Sequence, residues 1–150
     1  MRSMEKDIVP LKVFLNSPLS HIAAQTLNRK IKKILEEEGF ICIMPQDILP
    51  PGRNTDSIEV LRQNFELVKQ CDIMLSVLDA PGEGVIFELG VAYALDKPIF
   101  AFRSDRQSYL GKVVEGMWLS LPESRKAKSL EELRSRLKHF RAIGGISLNE

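Results

Sequence analysis

The sequence predicts an α/β fold, a doubly wound parallel sheet of about five strands in a single domain, and three observations predict it. Apolar runs of five to seven residues alternate with longer amphipathic segments, as strands joined by crossover helices do. The runs are nearly continuous in Ile, Val, Leu and Phe, as expected of strands covered on both faces. Turn residues separate the segments: Gly39, the ProProGly at 50–52 and the AlaProGlyGluGly at 80–84.

The elements follow in order. Leu11–Asn16 is a first strand. A helix runs from about Ser20 to Glu38 and stops at Gly39. Its apolar face holds Ile22, Leu27, Ile31, Ile34 and Leu35, and its charged residues form the solvated side. Basic residues precede acidic ones along it, against the helix dipole. Phe40–Met44 reads as a second strand buried on both faces, and Pro45–Asn54 as a loop. A helix from Thr55 or Asp56 to Lys69 leads to a third strand, Asp72–Leu78. The segment 85–95 is the next helix and Pro98–Phe102 the fourth strand. Arg103–Gly111 is loop, followed by a short helix near Lys112–Gly116 and a fifth strand near Met117–Leu121. Ser129 and Glu132 form a capping box that opens a last helix ending near Ala142.

Bulk composition narrows the function. The 150 residues make one domain, 1–150, with 1–10 and 144–150 expected as loose tails. A hydrophobic content of 44% with 27% charged residues is that of a globular protein, and a net charge of +1 favours neither nucleic acid nor membrane. No run reaches the 18 or more apolar residues of a membrane span, and the first residues lack a signal-peptide core, so a cytoplasmic location is expected. Cys42 and Cys71 lie in or beside strand-like runs and read as buried reduced thiols. No metal-ligand spacing, P-loop or dinucleotide fingerprint is present, and neither a metal nor a cofactor is expected. His21 and His139 complete no triad.

Glu88 is the strongest lead. It is the one charged residue between Val85 and Leu95, a stretch apolar enough to be buried on most of its circumference. A carboxylate there must be paired, neutralised or useful. The structural alternative is a buried salt bridge to Arg53 or Arg103. The segment follows a strand that ends at Asp79, which puts Glu88 at the carboxyl edge of the sheet, where open α/β sheets bind ligands. Asp79, Gly82 and Gly84 lie in the intervening turn, while Ser17, Pro18 and Ser20 follow the first strand at the same edge. An ionised carboxylate near a helix N-terminus is a competent nucleophile for a sugar carbon and stabilises an oxocarbenium-like transition state.

The block 71–79, its short glycine turn and the block 87–102 resemble the nucleoside 2-deoxyribosyltransferase family, with residues 12–19 fitting more loosely. The resemblance covers about residues 11 to 120. It implies a flavodoxin-like fold, N-glycosidic bond cleavage of a small-molecule nucleoside or nucleotide, and a homodimer or higher homo-oligomer. Glu88 matches the family's nucleophile, which forms a glycosyl-enzyme intermediate. The sugar then passes to another base or, in the related 2′-deoxynucleoside 5′-monophosphate N-glycosidases, to water. The short turn before Glu88 looks more like the hydrolases.

Several positions depart from the pattern. Asn64 stands where an aspartate is usual, Phe14 where a tyrosine is usual, Pro18 in a loop usually led by glycine, and Gly111 near the residue usually lent to a neighbouring subunit. The resemblance makes Asn64 a catalytic residue beside Glu88, gives Asn64 and Asp79 the orienting of sugar or base, and puts Phe14 and Pro18 among the substrate-binding residues. It gives Ser17, Ser20 and the amides of Gly82–Gly84 the sugar hydroxyls or a 5′-phosphate, with Arg103 and Arg106 as candidate phosphate partners. The apolar segment Tyr109, Leu110, Val113, Val114, Met117 and Trp118 is the candidate subunit contact. A nucleotide-binding module without turnover and an unrelated regulatory domain of the same fold remain the alternatives.

Overall fold

A computed structural model of the chain describes residues 9–19, 21–48, 55–104 and 108–144. Five parallel strands form one sheet in the order β2-β1-β3-β4-β5, where β1 is Lys12–Asn16, β2 Ile41–Ile43, β3 Ile73–Val77, β4 Ile99–Phe102 and β5 Lys126–Ala127. This is the flavodoxin-like order, whose ligand crevice lies at the β1/β3 switch point.

Strand alternation sorts the core into two layers. Val13, Leu15, Ile73, Leu75 and Val77 pack against α1 (Ile22–Glu37) and α6 (Leu130–Ala142) through Ile31, Leu35, Leu133, Leu137 and Phe140. Phe140 meets Phe100 edge to face, 5.2 Å between centroids. On the opposite face Phe14, Met74, Ile99 and Ala101 pack against α3 (Ser57–Gln70), α4 (Glu83–Ala94) and α5 (Gly111–Ser120), chiefly through Val68, Leu89, Ala92 and Trp118.

Local signals set the element ends. Asp56 caps α3 by accepting from the Ile58 amide at 2.7 Å. Ser129 Oγ accepts from the Glu132 amide at 3.1 Å as a capping box requires, but the Glu132 carboxylate reaches back to the Lys128 amide, at 2.7 Å. Gly39 follows α1 with φ +86°, a conformation that favours glycine. The acids that oppose the α1 dipole have partners on α6: Arg134 bonds Glu37 at 2.7 Å and Glu38 at 3.0 Å, and Arg141 Nη1 donates to the Glu38 carbonyl. The helix end is stabilised across the layer rather than along the helix.

Several expectations are corrected. β2 is not buried on both faces: it is a three-residue edge strand, with Ile41 39% exposed, because the topology gives it one neighbour. Residues 117–121 are not the fifth strand. α5 runs on to Ser120, since Val114, Met117, Trp118 and Leu121 recur at helical spacing against the sheet and Gly116 does not end it. β5 is instead the pair Lys126–Ala127 after a 3-10 turn at Glu123–Arg125. The segment after β2 opens with a short helix, α2 (Pro45–Ile48), and ProProGly 50–52 lies outside the described residues.

The α4 helix is also less buried than its composition predicts. The sheet covers Val85, Leu89 and Ala92, while Phe87 stays 57% and Tyr93 65% exposed. In the predicted contact segment, Leu110 and Trp118 turn into the core and Tyr109 and Val113 face out. Both cysteines are free thiols, Cys71 buried and Cys42 half-buried. Burial pushes Cys42 up to about 12 and Cys71 to about 11. Among the described residues no helix is long and apolar enough to cross a membrane.

Candidate active site

A cleft of about 520 Å³ opens at the carboxyl edge of the sheet, over the ends of β1 and β3. Asn16, Ser17 and Pro18 form one wall, the turn from Ala80 to Gly84 another, and Asn64 and Glu88 reach in from α3 and α4. A second groove, about 530 Å³, runs between α3 and α4 and shares Asn64, Gly84 and Glu88 with it. The Asn64–Glu88 pair is thus the partition between two cavities.

Among the described residues Glu88 has one hydrogen bond, donated by Asn64 Nδ2 to Oε1 at 2.7 Å. Burial pushes its carboxyl above the usual glutamate range, and the Asn64 amide pulls it partly back. The structural alternative, a salt bridge from Glu88 to Arg103, is not formed. Arg103 instead pairs with Glu115 at 2.9 Å, donates to the Ser108 carbonyl and lies 5.5 Å from the Trp118 ring. The other candidate, Arg53, lies outside the described residues. Among the described residues no cation bonds Glu88, and only its Oε1 has a hydrogen-bond partner. The α4 dipole helps less than predicted: the helix starts at Glu83, which makes Glu88 its sixth residue, beyond the first turn where the dipole acts.

Gly82 and Gly84 line the cleft, and neither is required by its backbone or by packing. Gly82 has φ −79°, and a Cβ added at either position meets nothing within 4 Å. The N-cap Gly82 has no side chain to cap the first turn of α4. Pro18 is a buried part of the wall.

Other candidates are placed differently. Ser17 lines the cleft, but its hydroxyl is given to Asn28 Oδ1. Phe14 is 0% exposed in the layer beneath α3 and α4, because its position in β1 points it away from the edge; it has no surface for a ligand. Asp79 accepts from the Ser104 amide at 2.8 Å and from the Ser104 hydroxyl, which ties the turn before α4 to the loop after β4. Arg103 is too buried to meet a phosphate, and Ser20 and Arg106 lie outside the described residues. His21 caps α1, its Nδ1 accepting from the Ala24 amide.

Sequence reasoning missed three residues here. Asn16, 2% exposed, donates from Nδ2 to Ser76 Oγ at 3.0 Å and to the Val85 carbonyl at 2.8 Å. Buried Asn28 holds the first loop through Ser17 and the Pro18 carbonyl. Gln46, from α2, lines the cleft beside Pro18. The available signal was an amide side chain where a strand or helix face is otherwise apolar, as at Asn16 and Asn28.

Comparison with known proteins identifies the family of the chain. The profile of the family described as nucleoside 2-deoxyribosyltransferase matches residues 13–141. A Thermofilum pendens protein proposed to be a 2′-deoxynucleoside 5′-phosphate N-hydrolase is 25% identical over 95 residues, 61% of this chain and 66% of that protein. A 2-deoxyribosyltransferase from Bacillus psychrosaccharolyticus superposes with TM-score 0.67 at 19% identity, over 82% of this chain and 90% of the other. A CMP N-glycosidase of Clostridium botulinum superposes with TM-score 0.58 at 18% identity, over 86% and 98%. The family match runs from β1 to the last turn of α6, through every element that builds the cleft, and the chain belongs to the nucleoside 2-deoxyribosyltransferase family.

Proposed function

We propose that the chain cleaves the N-glycosidic bond of a nucleoside or nucleoside 5′-monophosphate, with Glu88 as nucleophile and water as the principal acceptor. The observation that carries this reading is the state of Glu88: a poorly solvated carboxylate in a substrate-sized cleft, with one oxygen bonded to Asn64 and the other open. In the reaction Oε2 bonds C1′ as the C1′–N bond breaks, and the bonding pair leaves with the base. Water then attacks C1′, returns the carboxylate and frees the sugar. Fixing Oε1 orients the carboxylate for that attack. Asn64 bonds but gives no proton, so the departing base takes its proton from solvent, which the open cleft admits.

The substrate class draws support from the relatives named for a nucleoside 5′-phosphate hydrolase and a CMP glycosidase. The uncapped amides at the start of α4 suit a 5′-phosphate. The Gln46 amide offers a donor and an acceptor for a base edge. We further propose self-association through the outer face of α4 and α5, where Phe87, Tyr93 and Val113 lie exposed.

Free-base release from nucleosides and 5′-monophosphates, ribo and deoxy, with and without an acceptor base, tests the reading. Glu88→Gln should abolish release, and release should not need an acceptor. Asn64, an amide beside Glu88 where an acid would donate a proton, favours a second reading: a module that binds nucleotides without turnover. Tight binding with no base release from any member of the panel selects that one.

A further inference from the structure

We propose that Asn16 reads a hydroxyl of the sugar, 2′ or 3′, as a hydrogen-bond acceptor; the inference rests on the N-glycosidase reading above. The Val85 carbonyl can only accept, so the Asn16 atom 2.8 Å from it must be the nitrogen. That nitrogen spends its second hydrogen on Ser76 Oγ at 3.0 Å. The orientation of the amide is therefore fixed, and its carbonyl oxygen is the group left over.

That oxygen bonds no described residue. Among the described residues, the one fully buried side-chain polar atom without a partner is Arg103 Nε. The Asn16 oxygen thus keeps a small accessible surface on a side chain only 2% exposed, and the cleft is the cavity Asn16 lines. A buried, oriented acceptor with no partner is completed by a ligand donor.

Position selects which donor. Val85 precedes Glu88 by three residues, so the carbonyl that anchors Asn16 lies about 4.5 Å of helix rise from the proposed nucleophile. Asn16 ends β1, between β2, which Gln46 follows, and β3, which the glycine turn follows, and all three line the cleft. A group at that place neighbours the sugar carbon under attack, not the far edge of the base. The ring hydroxyls next to C1′ are the donors within reach. Asn16 thereby becomes the residue that separates ribose from its deoxy forms.

The test uses Glu88→Ala, which cannot turn substrate over, and titrates the four ribonucleoside 5′-monophosphates with their 2′-deoxy and 3′-deoxy counterparts by calorimetry. One of the two deoxy series should bind about 10- to 100-fold more weakly than the ribo series, because it leaves the buried acceptor unmet. Adding Asn16→Ala should bring that pair to near equality, whereas a merely structural Asn16 would weaken all three series alike. Equal affinities with Asn16 present, or a preference that survives Asn16→Ala, overturn the inference. Should Asn16→Ala not fold, Ser76→Ala removes one anchor of the amide and should shrink the preference; an unchanged preference counts against the proposal. Base release by the wild-type protein is measured alongside. If release is absent but the hydroxyl preference follows Asn16, the N-glycosidase reading falls and Asn16 stands; if nothing in the panel binds, both fall.

Discussion

Asn64→Ala isolates the one bond that conditions Glu88. The amide donates to Oε1 at 2.7 Å and favours the ionised carboxylate, while burial favours the protonated form. A hydrogen bond to a charged group contributes about 1.5–3 kcal/mol, a factor of roughly 10–100 in the protonation equilibrium. The cleft lets water replace part of the lost bond, so the low end applies, about tenfold. The acid limb of the pH profile of kcat/KM for base release should therefore move to higher pH by about one unit.

The sign for stability follows from the same shift. With its pKa raised in the fold, Glu88 binds its proton more tightly folded than unfolded, so stability falls as pH rises from the unfolded value through the folded one. Asn64→Ala widens that window upward, so its melting temperature should drop more on going from acid to neutral pH than that of the wild type. An acid limb that stays in place or moves to lower pH would refute the account of Glu88.

Other predictions concern the scaffold. Asn28→Ala should cost about 1–3 kcal/mol in denaturant unfolding and slow base release, because it strands the Pro18 carbonyl and frees the Ser17 hydroxyl at the cleft wall. Ser129→Ala should lower stability by about 1 kcal/mol through loss of the α6 cap, a fall of roughly 2–4 °C in Tm, with the cleft chemistry intact. Tyr93→Lys with Val113→Lys should convert an oligomer into monomers in sedimentation velocity, and a wild-type protein that is already monomeric would remove the assembly proposal.

Local pattern made the fold readable. The order of elements, the α6 capping box, the stop at Gly39 and the placement of Glu88 after the third strand all follow from spacings of a few residues. Where the reading failed, the cause was not local. Whether FICIM is buried depends on its being an edge strand, and whether 117–121 is helix or strand depends on what it packs against. The greasiness of α4 announced burial, yet the single chain covers one side of it.

The site divides the same way. One carboxylate in an apolar stretch was enough to single out Glu88. Asn64 could be singled out only from the family pattern, and its bond to Glu88 is visible only in the fold; Arg103, a candidate phosphate partner in the sequence, is committed by packing to Glu115 and Trp118. The cleft contacts join positions far apart in the chain: Asn64 and Glu88 by 24 residues, Asn16 and Val85 by 69. Periodicity carries information over a helical turn or a strand. Which amide is fixed, which oxygen is left open and which cation is already paired are settled only when the sheet order brings distant loops to one edge.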